Sequence, residues 1–252
     1  MKGRAEYVDF CHLRGLVNEI LLALMVFELD RYYFASRELL NGVCLQKRLQ
    51  LQNGVETKKL KSGKVLFREG TEPKSVFLLR KGKVKIFRVN SSGRKHIVDI
   101  YTAGEIFGYR AIICAGRRPV TAMALEDCVI DVIPAADFRD CIENCPELSA
   151  ALLKSLSHEF SVWVNTVSAH ALHPLKSRMA LGLLVLREKY KAKGKYAEID
   201  LSRDDLAGYV GTVKESVVRV LQEFKKEKLV VTHGRKILIL KPEELKSIAR
   251  FH

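Results

Sequence analysis

Glu215 and Arg219 stand one helical turn apart in KESVVRVLQEFKK, with Lys214 and Val218 beside them. An arginine can donate two parallel hydrogen bonds to guanine O6 and N7, and a glutamate can accept from cytosine N4. At i,i+4 the two can also hold each other's rotamers as an ion pair. The chemistry on offer is the reading of base edges, provided that a helix presents the pair outward. Without such a context the same residues are an ordinary surface ion pair on a solvated face.

The flanking residues supply that context. Val217, Val220, Leu221 and Phe224 recur at i, i+3, i+4, i+7, which predicts a helix from about Thr212 to Lys226 with one buried face. Upstream, Ser202 is a good N-cap and Asp205 completes an S-x-x-D capping pattern. Leu206, Ala207 and Val210 give a short first helix its apolar stripe, and Gly211 permits a tight turn. After Leu229, alternating apolar residues around His233-Gly234-Arg235-Lys236 predict a two-stranded wing. In a helix-turn-helix, the N-terminal residues of the second helix meet base edges in the major groove.

Charge agrees with a polyanionic partner. The 252 residues carry a formal net charge of +14, and residues 172–252 alone hold 18 Lys and Arg against 10 Asp and Glu. Six scattered cysteines without a C-x-x-C predict reduced thiols and a cytoplasmic protein. Leu16 to Phe27 is apolar but broken by Asn18 and Glu19, too short and polar to span a bilayer, and it lacks a small-residue cleavage site. No membrane association is expected.

Four segments follow in order. Residues 1–33 form an extension to which no role is given, although Leu16, Ile20, Leu24 and Phe27 could line one helical face. Over residues 34–145, Ser36 caps a short helix through Leu40, and Lys59 to Pro134 reads as β throughout. Strands are expected at 64–67, 76–80, 83–89, 96–100, 120–125 and 128–134, with Asn90 to Arg94 as a hairpin turn; short strands with regular turns indicate a jelly roll. Over 146–172, Leu153, Leu156, Phe160, Trp163, Val167 and His170 alternate at steps of three and four, the seam of a two-helix coiled coil. Leu148 and Leu152 should hold the start of this helix against the roll, and Pro174 ends it. Residues 173–252 open with a helix over Leu175 to Tyr190 and continue into the winged module. The fold class is α+β: an N-terminal β-roll sensor domain, a long dimerisation helix and a C-terminal winged helix-turn-helix.

This order, with KSGKVLFREGTEPKSVFLLRKGKVKIF in the roll and SRDDLAGYVGTVKESVVRVL downstream, resembles the CRP/FNR family of transcription regulators over about residues 34–250. Within it, the sequence is similar to members from Bacteroidetes-like anaerobes. The resemblance implies a homodimer on a palindromic operator of double-stranded DNA, a signal sensed in the roll, and contact with RNA polymerase. It matches Glu215 and Arg219 to the family's base-reading positions. Lys214 falls where some members place an arginine, and Val218 where the FNR branch has a serine. Thr212, Ser202, Arg235 and Lys236 are candidates for phosphate contacts.

The resemblance also locates an effector pocket at Gly108, Tyr109, Arg110, Arg118 and Thr121. Cyclic-nucleotide members have a glutamate where Tyr109 stands and an arginine where Val120 stands, so cyclic AMP is disfavoured. Arg117 or Arg118 could substitute if the loop shifts register. An iron–sulfur cluster is disfavoured because only Cys11 and Cys44 lie near the N-terminus, far apart. Cys141 and Cys145 alone make a weak metal site. Haem stays open, with Cys114, His158, His170 and His173 as possible ligands, none singled out by spacing. A cupin-type enzyme would need metal ligands on the strands, and the roll offers only His96; no nucleophile–base constellation is legible. A ligand-binding module without DNA binding would lack the winged segment.

Overall fold

The computed structural model describes residues 28–37, 39, 54–191 and 197–249. The helical face expected over Leu16 to Phe27 and the thiols of Cys11 and Cys44 lie outside them, as does part of the helix expected from Ser36 to Leu40. Ser36 itself is buried, donating to the carbonyl of Ile106 and accepting from its N–H.

Strands Glu56–Leu60 (β1), Val65–Phe67 (β2), Ser75–Lys81 (β3), Lys83–Val89 (β4), Lys95–Thr102 (β5), Ile106–Phe107 (β6), Thr121–Ala124 (β7) and Cys128–Pro134 (β8) form two antiparallel four-stranded sheets. Their orders are β1-β8-β3-β6 and β2-β7-β4-β5. Alternation along β3, β4 and β8 sends Phe77, Leu79, Val84, Ile86 and Ile130 into one core between the sheets. The hairpin at Asn90 to Arg94 closes β4 on β5, with Val89 opposite Lys95.

The expectation of β structure throughout 59–134 is corrected by a one-turn helix, Arg110–Ile113 (α1). Its paired isoleucines mimic a strand, and one turn is too short to show a helical period. Two strands escaped the reading. β1 (ETKKL) is an edge strand, mostly exposed and paired only with β8, so it carries no apolar alternation. β6 has two residues.

Helix Ala135–Asn144 (α2) leads into Pro146–Leu172 (α3), which starts with proline at a position needing no N–H donor. Leu148 and Leu152 are buried with Ile106, Tyr109 and Phe138, and so clamp α3 to the roll. Farther along, Leu153, Phe160, Trp163 and Val167 are 69, 65, 55 and 46 % exposed, an apolar seam left open in the single chain. The end of the N-terminal extension binds this helix: a turn at Leu29–Arg31 accepts a hydrogen bond from Asn165, and the Tyr33 carbonyl lies 3.2 Å from His158 Nε2.

The C-terminal module comprises Leu175–Tyr190 (α4), Ile199–Asp200 (β9), Arg203–Val210 (α5), Lys214–Lys226 (α6), Val230–His233 (β10), Lys236–Ile239 (β11) and Pro242–Ala249 (α7). Most of α4 is buried, because the roll packs on one side of it and α7 on another. Phe87, Ile97 and Ile100 of the roll share one apolar cluster with Met179, Leu183, Leu206 and Phe224 of the module. At Gly208 a Cβ would lie 2.7 Å from the Lys95 carbonyl, so only glycine allows α5 this close to β5. Among the described residues no helix is long and apolar enough to cross a membrane.

Leu148→Ala empties a fully buried site and should lower stability by about 2–5 kcal/mol. Thermal unfolding measures it, and the loss should exceed that of Leu153→Ala on the open seam.

Candidate nucleic-acid interface

The Ser202 hydroxyl accepts from the N–H of Asp205 at 3.0 Å, which starts α5 as its sequence requires. Gly211 ends it in the left-handed conformation (φ 73°), and the Thr212 N–H returns to the Ala207 carbonyl. Helix α6 then begins at Lys214, two residues later than its periodicity suggests. Val217, Val220, Leu221 and Phe224 are buried as expected. Lys214, Glu215, Val218, Arg219 and Gln222 are all exposed on the opposite side. Lys176 of α4 reaches Glu227 at 2.7 Å and fixes the far end.

Two expected contacts are corrected. Glu215 and Arg219 form no ion pair; Lys214 is the partnered residue, 3.0 Å from Asp204 of α5. Arg219 therefore faces solvent with its guanidinium uncommitted to Glu215. The Asp205 carboxylate, expected to complete the cap, binds Lys85 of β4 at 2.5 Å instead. In the wing, β11 pairs with both β10 and β9, the latter not foreseen. Arg235 pairs with Asp200 at 3.2 Å and Lys236 with Glu198 at 2.7 Å, while Arg203 donates to the carbonyls of Gly234 and Arg235. The wing cations are thus half-neutralised at the surface, where such pairs are weak and open to exchange for phosphate.

A second ion pair joins module to roll. The Lys189 ammonium lies 2.7 Å from Asp99 and donates to the Ile100 carbonyl. Burial would push this ammonium down, but Asp99 and Glu105 beside it hold it well above the ordinary lysine range. Lys85 had a signal that sequence reading missed: a lysine in the middle of the apolar strand KVKIF, on the face that α5 covers.

Of the residues assigned to the effector pocket, Gly108, Tyr109, Arg110 and Arg118 do meet, around a cavity of only about 40 Å³ inside the roll. Thr121 is not there; its hydroxyl accepts from the Glu69 N–H. Arg117 points outward and donates to the Gly70 carbonyl. Arg118 turns inward, stacks 3.9 Å from the Phe67 ring centre and donates to the carbonyls of Ser75 and Gly108. Burial pushes its guanidinium down to about 10. Arg110 is claimed by Glu159 of α3. At about 40 Å³ the cavity is well below the roughly 300–1,000 Å³ usual for a small-molecule site.

Of the possible haem ligands, Cys114, His158 and His170 do not converge, and His173 caps the C-terminal end of α3. His158 and His170 are about 18 Å apart along α3, His158 faces Phe34, and His170 meets His96 edge-on at 5.9 Å. Cys114 is exposed on α1's far end, and Cys141 and Cys145 are buried in the apolar cluster beside α2. Among the described residues no three His, Cys, Asp or Glu side chains gather as a metal site would require.

Comparison with known proteins gives two adjacent matches. Residues 57–145 match the cyclic nucleotide-binding domain family, and residues 177–248 the Crp-like helix-turn-helix domain family. The fumarate and nitrate reduction regulatory protein of Escherichia coli is 26 % identical over 204 residues, covering 79 % of this chain and 81 % of that protein. The structure is similar to TTHA1359, a CRP/FNR-family transcriptional regulator from Thermus thermophilus (28 % identity, TM-score 0.64, 77 % of this chain and 98 % of that one). It shares its fold with FixK2 from Bradyrhizobium japonicum (18 % identity, TM-score 0.71, 79 % and 98 %). Within the first matched domain, Arg118 is engaged by the carbonyls of Ser75 and Gly108, and the cavity beside it measures about 40 Å³.

Where roll, α3 and module meet, burial together with His96 and Arg178 pushes the His170 imidazole down to about 4. In the unfolded chain it would titrate near ~6.5. Between these values the unfolded chain binds the extra proton, so stability present above pH ~6.5 is lost as pH falls toward ~4. Melting temperatures between pH ~7 and ~4 should fall more steeply for the native protein than for His170→Gln.

Proposed function

Because this chain belongs to the Crp/Fnr family of DNA-binding transcription regulators, we propose that two copies pair along the open seam of α3 and read a palindromic operator. Each α6 would enter a major groove, the two about 34 Å apart, one helical turn of DNA. The observation that carries this reading is the outward face of α6. Lys214, Glu215, Val218 and Arg219 are exposed together at its N-terminal end, on a helix whose other face is fixed in the core. Arg219 is the residue for a guanine and Glu215 for a cytosine, which gives a G·C pair in each half-site. Ser202, Thr212, Arg235 and Lys236 border that face and suit phosphates. The wing cations would exchange Asp200 and Glu198 for the DNA backbone. The exposed row from Leu153 to Val167 supports the homodimer, since pairing would cover it. RNA polymerase is the partner through which a bound dimer would act on transcription. A signal reaches the DNA-reading helices through the contacts of roll, α3 and α5, and the roll's small cavity argues against a cyclic nucleotide as that signal.

Selection from a random duplex pool tests the reading. The native protein should enrich an inverted repeat with G·C in each half-site. Arg219→Ala should lose about 1–3 kcal/mol on that sequence and accept other bases at the position. Failure of the native protein to enrich any repeat would overturn the proposal.

A further inference from the structure

A cavity of about 380 Å³ lies outside the roll, where β5, α3, α4 and α5 converge. This is the size of a small-molecule site, for which about 300–1,000 Å³ is usual. Phe34, Trp163, Val185 and Tyr209 contribute apolar wall. Most of the charges around it are balanced in pairs: Lys189 with Asp99, and Arg110 with Glu159. Arg178 is the exception. Among the described residues no carboxylate lies within ion-pair distance of it and its buried Nε finds no hydrogen-bond partner, while its Nη1 makes only long hydrogen bonds, 3.3 and 3.4 Å, to the carbonyls of Val210 and Gly211. Arg178 is half-buried at the edge of this cavity, and a guanidinium whose buried N–H has no partner favours an anion, because a charge-assisted hydrogen bond would satisfy it.

We propose that this cavity binds a small apolar monoanion, an aromatic or aliphatic carboxylate or sulfonate, with its headgroup on Arg178 and its body along the wall formed by Phe34, Val185 and Tyr209. The site would touch every part that has to move together. Arg178 belongs to α4 and holds the carbonyls at the turn between α5 and α6, Trp163 belongs to the long helix, and Ile97 and Asp99 belong to the roll. Occupancy would therefore act on the turn before the DNA-reading helix. The inside of the roll, with its 40 Å³, plays no part in it.

The chain's single tryptophan lines the cavity and reports on it directly. The test uses the full chain without DNA, so its outcome is separate from that of the operator selection. Two probes are compared: 1-anilinonaphthalene-8-sulfonate and the uncharged N-phenyl-1-naphthylamine. The sulfonate should quench Trp163 saturably with one site per chain. Arg178→Gln should weaken it roughly tenfold or more, Arg178→Lys should retain most of the affinity, and the uncharged probe should be indifferent to both. Circular dichroism melts establish that the variants fold. Three results would overturn the proposal: no saturable quenching (as when a second copy fills the cavity), equal sulfonate affinity in folded Arg178→Gln, or parallel loss of both probes.

Discussion

The contact between Lys85 of the roll and Asp205 of the first helix-turn-helix helix fixes how the C-terminal module sits on the roll. Both side chains are nearly buried, at 7 and 15 % exposure. Apolar burial around Phe87, Ile97 and Ile100 draws the module to the roll but has little directional preference. The ion pair has one, and Lys189 on Asp99 adds a second fixed point at the end of α4. Breaking a buried pair leaves a stranded charge, which typically costs about 3–5 kcal/mol. Gly208 removes the remaining freedom by letting α5 lie against the Lys95 backbone. Together these contacts define how the module sits on the roll in this structure.

That pose leaves the outer face of α6 free. The core of α6 is turned inward and Arg219 and Glu215 outward, while α5 occupies the space between α6 and the roll. The roll thus holds the helix-turn-helix by its first helix, without covering the second. The long helix contributes from the other side: Leu148 and Leu152 anchor it to the roll, and its apolar seam is left open. Arg110 of α1 reaches Glu159 of the long helix and so ties the roll directly to that helix.

Much of this was legible because periodicity reports burial. The bounds of β4, β8 and α4 coincide with the expected ones, and so does the buried stripe of α6. Of the row expected along α3, Leu153, Phe160, Trp163 and Val167 stay exposed, whereas Leu156 packs on the roll's cluster and His170 turns to His96. What failed to show in sequence was set by neighbours distant in the chain. Asp205 has the spacing of a capping residue, but Lys85, 120 residues away, offers a full charge and takes it. Arg219 was matched with Glu215 by spacing alone, whereas Lys214 found Asp204 across the turn. Thr121 sits in register with the pocket motif, yet Glu69's backbone claims its hydroxyl. Edge strand β1 and two-residue β6 have no pattern to read, and the size of a cavity is invisible until the walls are in place.

The most direct measurement of whether docking governs reading is the operator affinity of Lys85→Met, Asp205→Leu and the double variant, on DNA obtained by selection. None of these side chains belongs to the exposed reading face. If the docked pose is the one that reads DNA, each single variant binds more weakly, because a loosened module must be ordered on the operator, and the double variant recovers much of the loss by replacing the pair with apolar contact. Single variants that bind as tightly as the native protein, or losses that simply add, would contradict it.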